Sequence, residues 1–455
     1  MSSKETAEQP SSAGDEKLTG SAALRLAVGV VLLEFVASVS SFVAGTLLPL
    51  IEHDLTAAHQ VQLLVTGGEI GMFAALPLSA WIVQRIPPAR LMLAGLALSV
   101  IGSATSALSV DAWMFAGGRF IAGVAGGVLS VFGVTAAIHH LEDGLRAKVV
   151  AAMSAMWLIP SLVGPPATLA LQHFIGWRLT LLAPIPLMLL ARAFLLVGAR
   201  STSERVAPSS RAFLIPLGVT ASVLLVGSEW WYLAPLALGA ATVGYFALMP
   251  AGTAQMARGA PAAFAGLTLF GFGYFGANSL TTLLFTQSFG ATLLQAGIAL
   301  STTSIAWAIV APLAPRLRML RHAPSIGMGT AATGTMLVSL LGLAGASWLA
   351  ALCAWTLTGI GIGLSYPTHY LRATTAHTPA AAAQLATAAV TTESFGALAG
   401  ATLGAGFGSL STELGIGRGT AWLWAFSGFA MVLAFAAIAA ARTAEKGQST
   451  ANTTI

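Results

Sequence analysis

Apolar runs long enough to cross a bilayer as helices, roughly 17–25 residues each, recur along this chain with short polar joints between them. They fall at 25–49, 60–83, 90–109, 112–137, 149–172, 179–198, 212–228, 230–250, 262–286, 295–315, 325–345, 347–367, 382–406 and 419–441. The pattern predicts an all-α polytopic membrane protein with fourteen membrane helices. The run at 212–228 is the weakest, being short and holding Pro216, and twelve helices is the alternative count.

Charge placement tests the count. With the N-terminus inside, the inner joints hold Arg85 and Arg90, Arg146 and Lys148, Arg200, Arg205 and Arg211, Arg258, Arg316, Arg318 and Arg321, Arg372, then Arg442 and Lys446. The outer joints hold Arg178 and Arg418 beside Glu52, Asp54, Asp111, Glu229 and Glu413. Membrane proteins keep their excess of Lys and Arg on the cytoplasmic side. The expectation is therefore an even number of spans with both termini cytoplasmic.

The spans also repeat. Gly123 and Gly127 recur as Gly359 and Gly363, each 236 residues later, and Gly164 meets Gly400 at the same offset. Pro77-Leu78 meets Pro312-Leu313 at 235. Adding the offset to the start of the first span reaches residue 261, where the ninth span begins. The organisation read from this is a disordered polar tail at 1–22, a six-helix bundle at 23–200, and a linker with a central transmembrane hairpin at 201–260. A second six-helix bundle at 261–442 and a tail at 443–455 follow. No cleavable signal peptide is expected before the first span. Two parallel six-helix halves place a substrate between them, near the membrane midplane.

Composition agrees with this reading and narrows the function. Of 455 residues, 56% are hydrophobic and 8% are charged, with a mean hydropathy of +0.82. Soluble globular domains carry about 25% charged residues, so soluble enzyme classes are set aside. The net charge of +5 collects in joints and gives no reason to expect nucleic acid. Cys353 is the single cysteine, which excludes an intramolecular disulfide and a cysteine metal site. There is no P-loop, dinucleotide fingerprint or nucleophile elbow, so neither ATP-driven transport nor an enzyme activity is expected, and no cofactor or metal.

The chemistry lies in the few ionisable groups inside the spans. Arg119 sits in Gly117-Gly-Arg-Phe-Ile-Ala-Gly-Val-Ala-Gly-Gly-Val128, within an apolar run. An ionised Arg at membrane depth costs roughly 2.5–3.5 kcal/mol even on insertion scales, so it faces protein or water, or else snorkels to the nearer interface. The small residues after it let another helix approach closely. Of the sixteen acidic residues, Glu34, Glu69 and Glu393 lie well within spans. A carboxyl in apolar surroundings can hold a proton at neutral pH and release it to an arriving cation or water, which is what proton coupling needs. Glu34 is favoured for that role over a purely structural hydrogen-bonded acid. Glu69 lies at a depth close to that of Arg119, so it is either a coupling group or the structural partner of Arg119. Glu393, among Thr391, Thr392 and Ser394, is open to both readings.

Span five contains Trp157-Leu-Ile-Pro-Ser-Leu-Val-Gly-Pro-Pro166. Pro160, Pro165 and Pro166 remove helix hydrogen bonds, and Gly164 opens a groove, which predicts a bend in a moving helix or a simple packing kink. The histidines are read as joint residues: His53, His59 and His173 outside, and His139, His140, His322, His369 and His377 inside. The pair His139-His140 reads as a loop pair rather than a site. Trp230-Trp-Tyr232 reads as an interface belt.

Together these features resemble the major facilitator superfamily over residues 23–442, and within it the fourteen-helix drug:proton antiporters. Arg119-Phe-Ile-Ala-Gly-Val-Ala-Gly-Gly looks like the family's fourth-helix motif, and the resemblance implicates its Arg in proton transfer. Pro160-Ser-Leu-Val-Gly-Pro-Pro looks like the fifth-helix antiporter motif, with Ala167 and Thr168 in place of its closing glycines. Gly176-Trp-Arg178 and Leu48-Pro49-Leu-Ile-Glu-His-Asp-Leu55 are similar to the start of the sixth and the end of the first helix of such antiporters. The inner-loop motif of the family is degenerate here: Ala80, Gln84, Arg85, Pro87, Pro88 and Ala89 occupy its places, and Gln84, Arg85 and Arg90 are left as the inner-loop gate. A first-helix Asp found in relatives falls near Ser40, so Glu34 would stand in for it.

The resemblance implies a proton-coupled exporter of lipophilic small molecules in the cytoplasmic membrane, working as a monomer in the lipid bilayer by alternating access. Glu34 would couple, with Arg119 tuning it, and Glu34, Arg119, Trp157 and Glu393 would line the cavity. The alternatives are a symporter or uniporter taking up an organic anion bound by Arg119, and a non-transporting scaffold or sensor.

Overall fold

A computed structural model describes residues 17–57, 61–156, 158–195, 209–226, 228–317, 322–375 and 379–443. Every regular element among them is a helix. The first group is α1 (Gly20–Asp54), α2 (Val61–Arg85), α3 (Pro88–Ala107), α4 (Ala112–His140), α5 (Asp143–Ala155), α6 (Leu158–Thr180) and α7 (Pro184–Leu195). A hairpin follows, α8 (Leu214–Val226) and α9 (Ala234–Leu248). The last group is α10 (Ala260–Phe270), α11 (Gly276–Ser288), α12 (Leu293–Val310), α13 (Ala323–Leu343), α14 (Trp348–Ala373), α15 (Pro379–Glu413) and α16 (Arg418–Ala441). One π-helical turn, Gly271–Phe275, joins α10 to α11.

Ten helices among the described residues are long and apolar enough to cross a membrane, and up to eleven if a bent pair counts as one span. That pair is Pro166–Thr180 with Pro184–Leu195, bent by 73°. This is a multi-pass membrane protein. The run expected at 212–228 forms a shorter apolar helix, Ser210–Val226.

Several boundaries differ from the sequence reading for identifiable reasons. Helix α1 begins at Gly20, inside the segment read as a free tail. Lys17 lies there too, and its ammonium donates to the carbonyls of Ile138 (3.0 Å) and His139 (2.8 Å) at the C-terminal end of α4. A cation at that end satisfies carbonyls that the helix itself leaves unpaired. His139 and His140 are consequently the last residues of α4 rather than a loop pair, with ring centroids 4.5 Å apart. His369, read as a joint residue, is fully buried in α14, with Nδ1 3.1 Å from the Ser365 hydroxyl.

Span five is divided between α5, which ends at Ala155, and α6, which begins at Leu158. Pro160 has no N–H to offer the carbonyl of Met156 four residues earlier. That carbonyl instead receives the Ser38 hydroxyl of α1 at 3.1 Å. A second break falls at Gly176, whose φ of 76° and ψ of 161° suit glycine alone.

The two groups of helices use the same packing scheme. Helices α2 and α3 lie against α4 as α12 and α13 lie against α14, and α1 meets α6 and α7 as α10–α11 meet α15 and α16. A Cβ at Gly123 would strike the carbonyl of Gly68, and one at Gly359 the carbonyl of Thr303. Those two contacts stand 236 and 235 residues apart in sequence.

Between the groups, α15 packs on α2 and α4, while α5 packs on α14 and residues 311–317. The buried apolar core is continuous across this seam through Phe73, Val134, Ile138 and Val150 on one side and Leu371, Ala382 and Ala386 on the other. Phe73 lies at the midpoint of α2, and the others lie toward the end of the bundle where Lys17 and Arg442 sit, here the tail side. At the opposite end, the cluster of Val43, Leu47, Ile51, Phe115, Trp177 and Leu181 draws on the first group alone. The seam is packed on the tail side. The hairpin α8–α9 covers one flank of it, resting on α2 and α15.

Candidate functional site

Glu34, near the middle of α1, and Glu393, near the middle of α15, come from opposite sides of the seam and lie within electrostatic reach of each other. Two tyrosines one helical turn apart on α14 share their environment: Tyr366 and Tyr370 both feel Glu34 and Glu393. The Tyr366 hydroxyl reaches Oε1 of Glu393 at 3.1 Å and Oε2 at 3.0 Å. Glu393 and Glu34 are each half-buried.

Close helix approach builds this part of the site. Gly271 of the π-helical turn packs on the backbone of Glu393, where an added Cβ would come within 3.2 Å of its carbonyl. Inserting an extra residue into a helix turn redirects side chains, and such turns recur at functional sites. The redirected turn contributes to an aromatic wall beside Tyr366. Trp307 of α12 lies 5.2 Å from Tyr366 and 5.8 Å from Phe270, centroid to centroid, at steep interplanar angles, and Phe270 lies 5.6 Å from Tyr366. The Trp307 indole N–H is buried without a hydrogen-bond partner.

The second charged locus is separate. Arg119 of α4 has Glu69 of α2 as its electrostatic partner, and each lies seven or eight residues from the end of its helix away from the tail side. Gly68 brings α2 against Arg119, with an added Cβ 3.3 Å from the guanidinium. Glu69 is exposed and Arg119 half-buried. The expected tuning of Glu34 by Arg119 is therefore not what the structure displays. The charge partner of Arg119 is Glu69, because α2 and α4 are in continuous close contact.

The remaining candidates divide. Trp157 lies outside the described residues. Pro160 is buried at the start of α6, Pro166 is exposed, Pro165 continues the helix, and Gly164 sits on Phe42 of α1, an added Cβ falling 3.3 Å away. Of the inner-loop gate, Gln84 is buried, Arg85 is exposed and stacks over the Trp81 ring at 4.6 Å, and Arg90 is exposed. On the side opposite the tails, Gly176-Trp-Arg178 forms a clamp. Asp54 Oδ2 accepts from Trp177 Nε1 (3.1 Å) and Arg178 Nη2 (3.0 Å), while Arg178 Nη1 donates to the carbonyls of Ala107 (2.9 Å) and Ser109 (2.7 Å).

Sequence reasoning missed Tyr366, Tyr370, Trp307 and Tyr245. The predicted span ended at 367, whereas α14 runs to Ala373 and carries Tyr370 inward. A usable signal existed: the chain has five tyrosines, and Tyr245, Tyr274, Tyr366 and Tyr370 are buried. Buried phenols in apolar helices need partners.

An all-helical bundle of two similarly packed groups joined at a seam, with ionisable groups inside its apolar helices, defines a polytopic membrane fold. The sequence profile of the Major Facilitator Superfamily matches residues 30–401, and the chain belongs to that family. Membership places it among transporters of small molecules rather than enzymes. The multidrug efflux pump SdrM of Staphylococcus aureus is 27% identical over 164 residues, 36% of this chain and 37% of the relative. The methylenomycin A resistance protein of Bacillus subtilis is 26% identical over 259 residues, 52% of this chain and 55% of the relative. The chain thus spans about half or less of the length of these curated relatives. Among solved structures, the human organic anion transporter MFSD10 matches with a TM-score of 0.68 at 16% identity, covering 92% of this chain and all of that one. The proton:xylose symporter XylE matches at 0.60 and 15%, covering 92% and 95%. At these identities the likeness is one of fold.

Proposed function

We propose that this protein is a proton-coupled exporter of lipophilic or amphiphilic small molecules. The observation that carries this reading is the meeting of Glu34 and Glu393 across the seam, beside Tyr366 and an aromatic wall. Two like charges in a region of low dielectric repel strongly. A proton or a cationic cargo relieves the repulsion, and the two compete for the same carboxylates. Competition of this kind exchanges protons for cargo without further machinery. The aromatic wall offers apolar area and ring faces to a cationic or aromatic body, and the Trp307 N–H offers one hydrogen bond to an acceptor.

In this reading fourteen spans form two six-helix bundles, α1–α7 and α10–α16, with α8–α9 as an added hairpin. The tail side is cytoplasmic in the cell membrane, in accord with the arginines of its joints. The seam closed on that side then represents a state open to the outside, in which cargo leaves and protons load. Bundles that rock about Glu34 and Glu393 give alternating access by a functional monomer. The efflux and resistance names of the relatives support the direction of transport. Uptake of an organic anion at Arg119 is disfavoured, since Glu69 already neutralises that guanidinium.

Dye export from loaded cells, and proton-driven dye uptake by everted vesicles, test the reading. Wild type is expected to be uncoupler-sensitive, with export lost in Glu34→Gln and in Glu393→Gln. Uncoupler-sensitive export that survives in both variants sinks it.

A further inference from the structure

The hairpin α8–α9 is an insertion by sequence offset, yet one of its side chains reaches the helix turn that carries Glu393. Tyr245 of α9 is buried. Its hydroxyl is hydrogen-bonded to Thr268 of α10 and lies 3.2 Å from the Thr392 hydroxyl of α15. Its ring stacks on Phe395 of α15, centroids 4.8 Å apart and planes 13° from parallel. The Met249 sulfur, one turn further along, lies 3.3 Å from the same Thr392 hydroxyl and is the alternative acceptor for its single hydrogen.

The hydrogen bonds can be ordered. Thr268 donates to the Phe264 carbonyl at 2.9 Å, so its oxygen is free to accept from Tyr245. The Tyr245 oxygen is in turn free to accept from Thr392. With the Thr392 hydrogen on the Tyr245 oxygen, the chain Thr392 to Tyr245 to Thr268 to Phe264 ties three helices together in one direction. Thr392 and Phe395 are three residues apart on α15 and occupy one face of it, while Glu393 lies on the adjoining face toward Tyr366. Gly396 closes the same turn against the Thr268 carbonyl, where an added Cβ would come within 2.6 Å.

We propose that Tyr245 is a positioning residue for Glu393: it holds the α15 turn from behind, so that the carboxylate meets the Tyr366 hydroxyl with both oxygens. The hairpin is then part of the coupling site, linked to α10 and α15 by these hydrogen bonds while also resting on α2. This inference rests on the reading of Glu393 as a coupling group.

The test uses the purified full-length chain in lipid nanodiscs. Dicyclohexylcarbodiimide is the probe, and its adducts at Glu393 and at Glu69 are counted by peptide mass spectrometry at fixed pH. The ratio of the two reactivities is the readout, because general loosening of the fold moves both carboxyls together. Tyr245→Phe keeps the ring and removes the hydroxyl. It is expected to change the ratio by about fivefold, the effect of one lost hydrogen bond. Thr392→Val breaks the same chain at its other end and is expected to do likewise, which keeps the test decisive if one variant fails to fold. Tyr232→Phe, at the exposed tip of the hairpin, serves as the unchanged control. A ratio equal to wild type in both Tyr245→Phe and Thr392→Val overturns the proposal. Normal transport by Glu393→Gln would instead overturn the coupling reading and leave the ratio experiment to judge Tyr245 separately.

Discussion

The molecule contains two carboxylate environments of opposite character. Glu69 and Arg119 are opposite charges on neighbouring helices of one group, brought together by α2–α4 packing that extends the length of both helices. Glu34 and Glu393 are like charges delivered by helices on opposite sides of a seam, with Tyr366 and Tyr370 within electrostatic reach of both. The first arrangement neutralises itself and has no need of a proton. On the proposed reading, the second is relieved further by a proton or a cationic cargo, and its geometry would change as the seam opens. A fixed pair stabilises a body, and a divided pair is suited to sense motion between bodies.

The sharpest way to break this comparison is to neutralise one acid of the divided pair. Glu34→Gln and Glu393→Gln are each expected to reduce proton-driven export to background while eluting as folded monomer with unchanged thermal stability. A large fall in stability would instead make the divided pair structural.

The fixed pair is expected to behave in the reverse manner. Arg119→Gln is expected to lower the unfolding temperature in detergent. The loss is expected to be much smaller than the ~3–5 kcal/mol of a broken buried ion pair, since Glu69 is exposed and its link to Arg119 is electrostatic without a salt bridge. The double variant Glu69→Gln/Arg119→Gln is expected to recover most of the loss. Additive single effects would dissolve the pair.

The packing that holds the fixed pair can be probed next. Gly123→Ala places a methyl against the Gly68 carbonyl, whereas Gly126→Ala meets nothing within 4 Å. Overpacking of this kind costs about 1–3 kcal/mol, so Gly123→Ala is expected to lower thermal stability and Gly126→Ala to leave it unchanged. Gly359→Ala, against Thr303 in the second group, is expected to match Gly123→Ala, which sharpens the likeness of the two groups. The smallest effect belongs to the outer clamp. Asp54→Asn weakens a half-exposed ion pair with Arg178 worth about 0.2–1 kcal/mol, measurable as a small shift in melting that high salt erases in wild type.

Much of this architecture was legible before any coordinates. The apolar lengths announced the helices, and the offset linking Gly123 to Gly359 anticipated matching contacts on Gly68 and Thr303, because close helix crossing demands a missing side chain wherever it occurs. The proline cluster announced an irregular helix in span five, since each proline leaves a carbonyl one turn earlier without its donor. Arg119, Glu34, Glu69 and Glu393 were visible because a charge in an apolar run has no neutral explanation. The partner of the Met156 carbonyl, Ser38, was not visible, because a serine in a helix has local acceptors available to it and its sequence carries no sign of a distant one.

What the sequence by itself determined, then, is which segments enter the membrane fold, where they bend, and which residues are too costly to sit there idly. Those properties depend on hydropathy, backbone sterics and desolvation, all local to a segment. The tertiary structure alone decided that Arg119 has Glu69 within electrostatic reach, that Glu34 has Glu393, and that the Tyr245 hydroxyl of the hairpin reaches Thr392 beside Glu393. Such pairings join residues up to 359 positions apart. They follow from the rotation and crossing of helices about one another, which periodicity within a single helix does not encode.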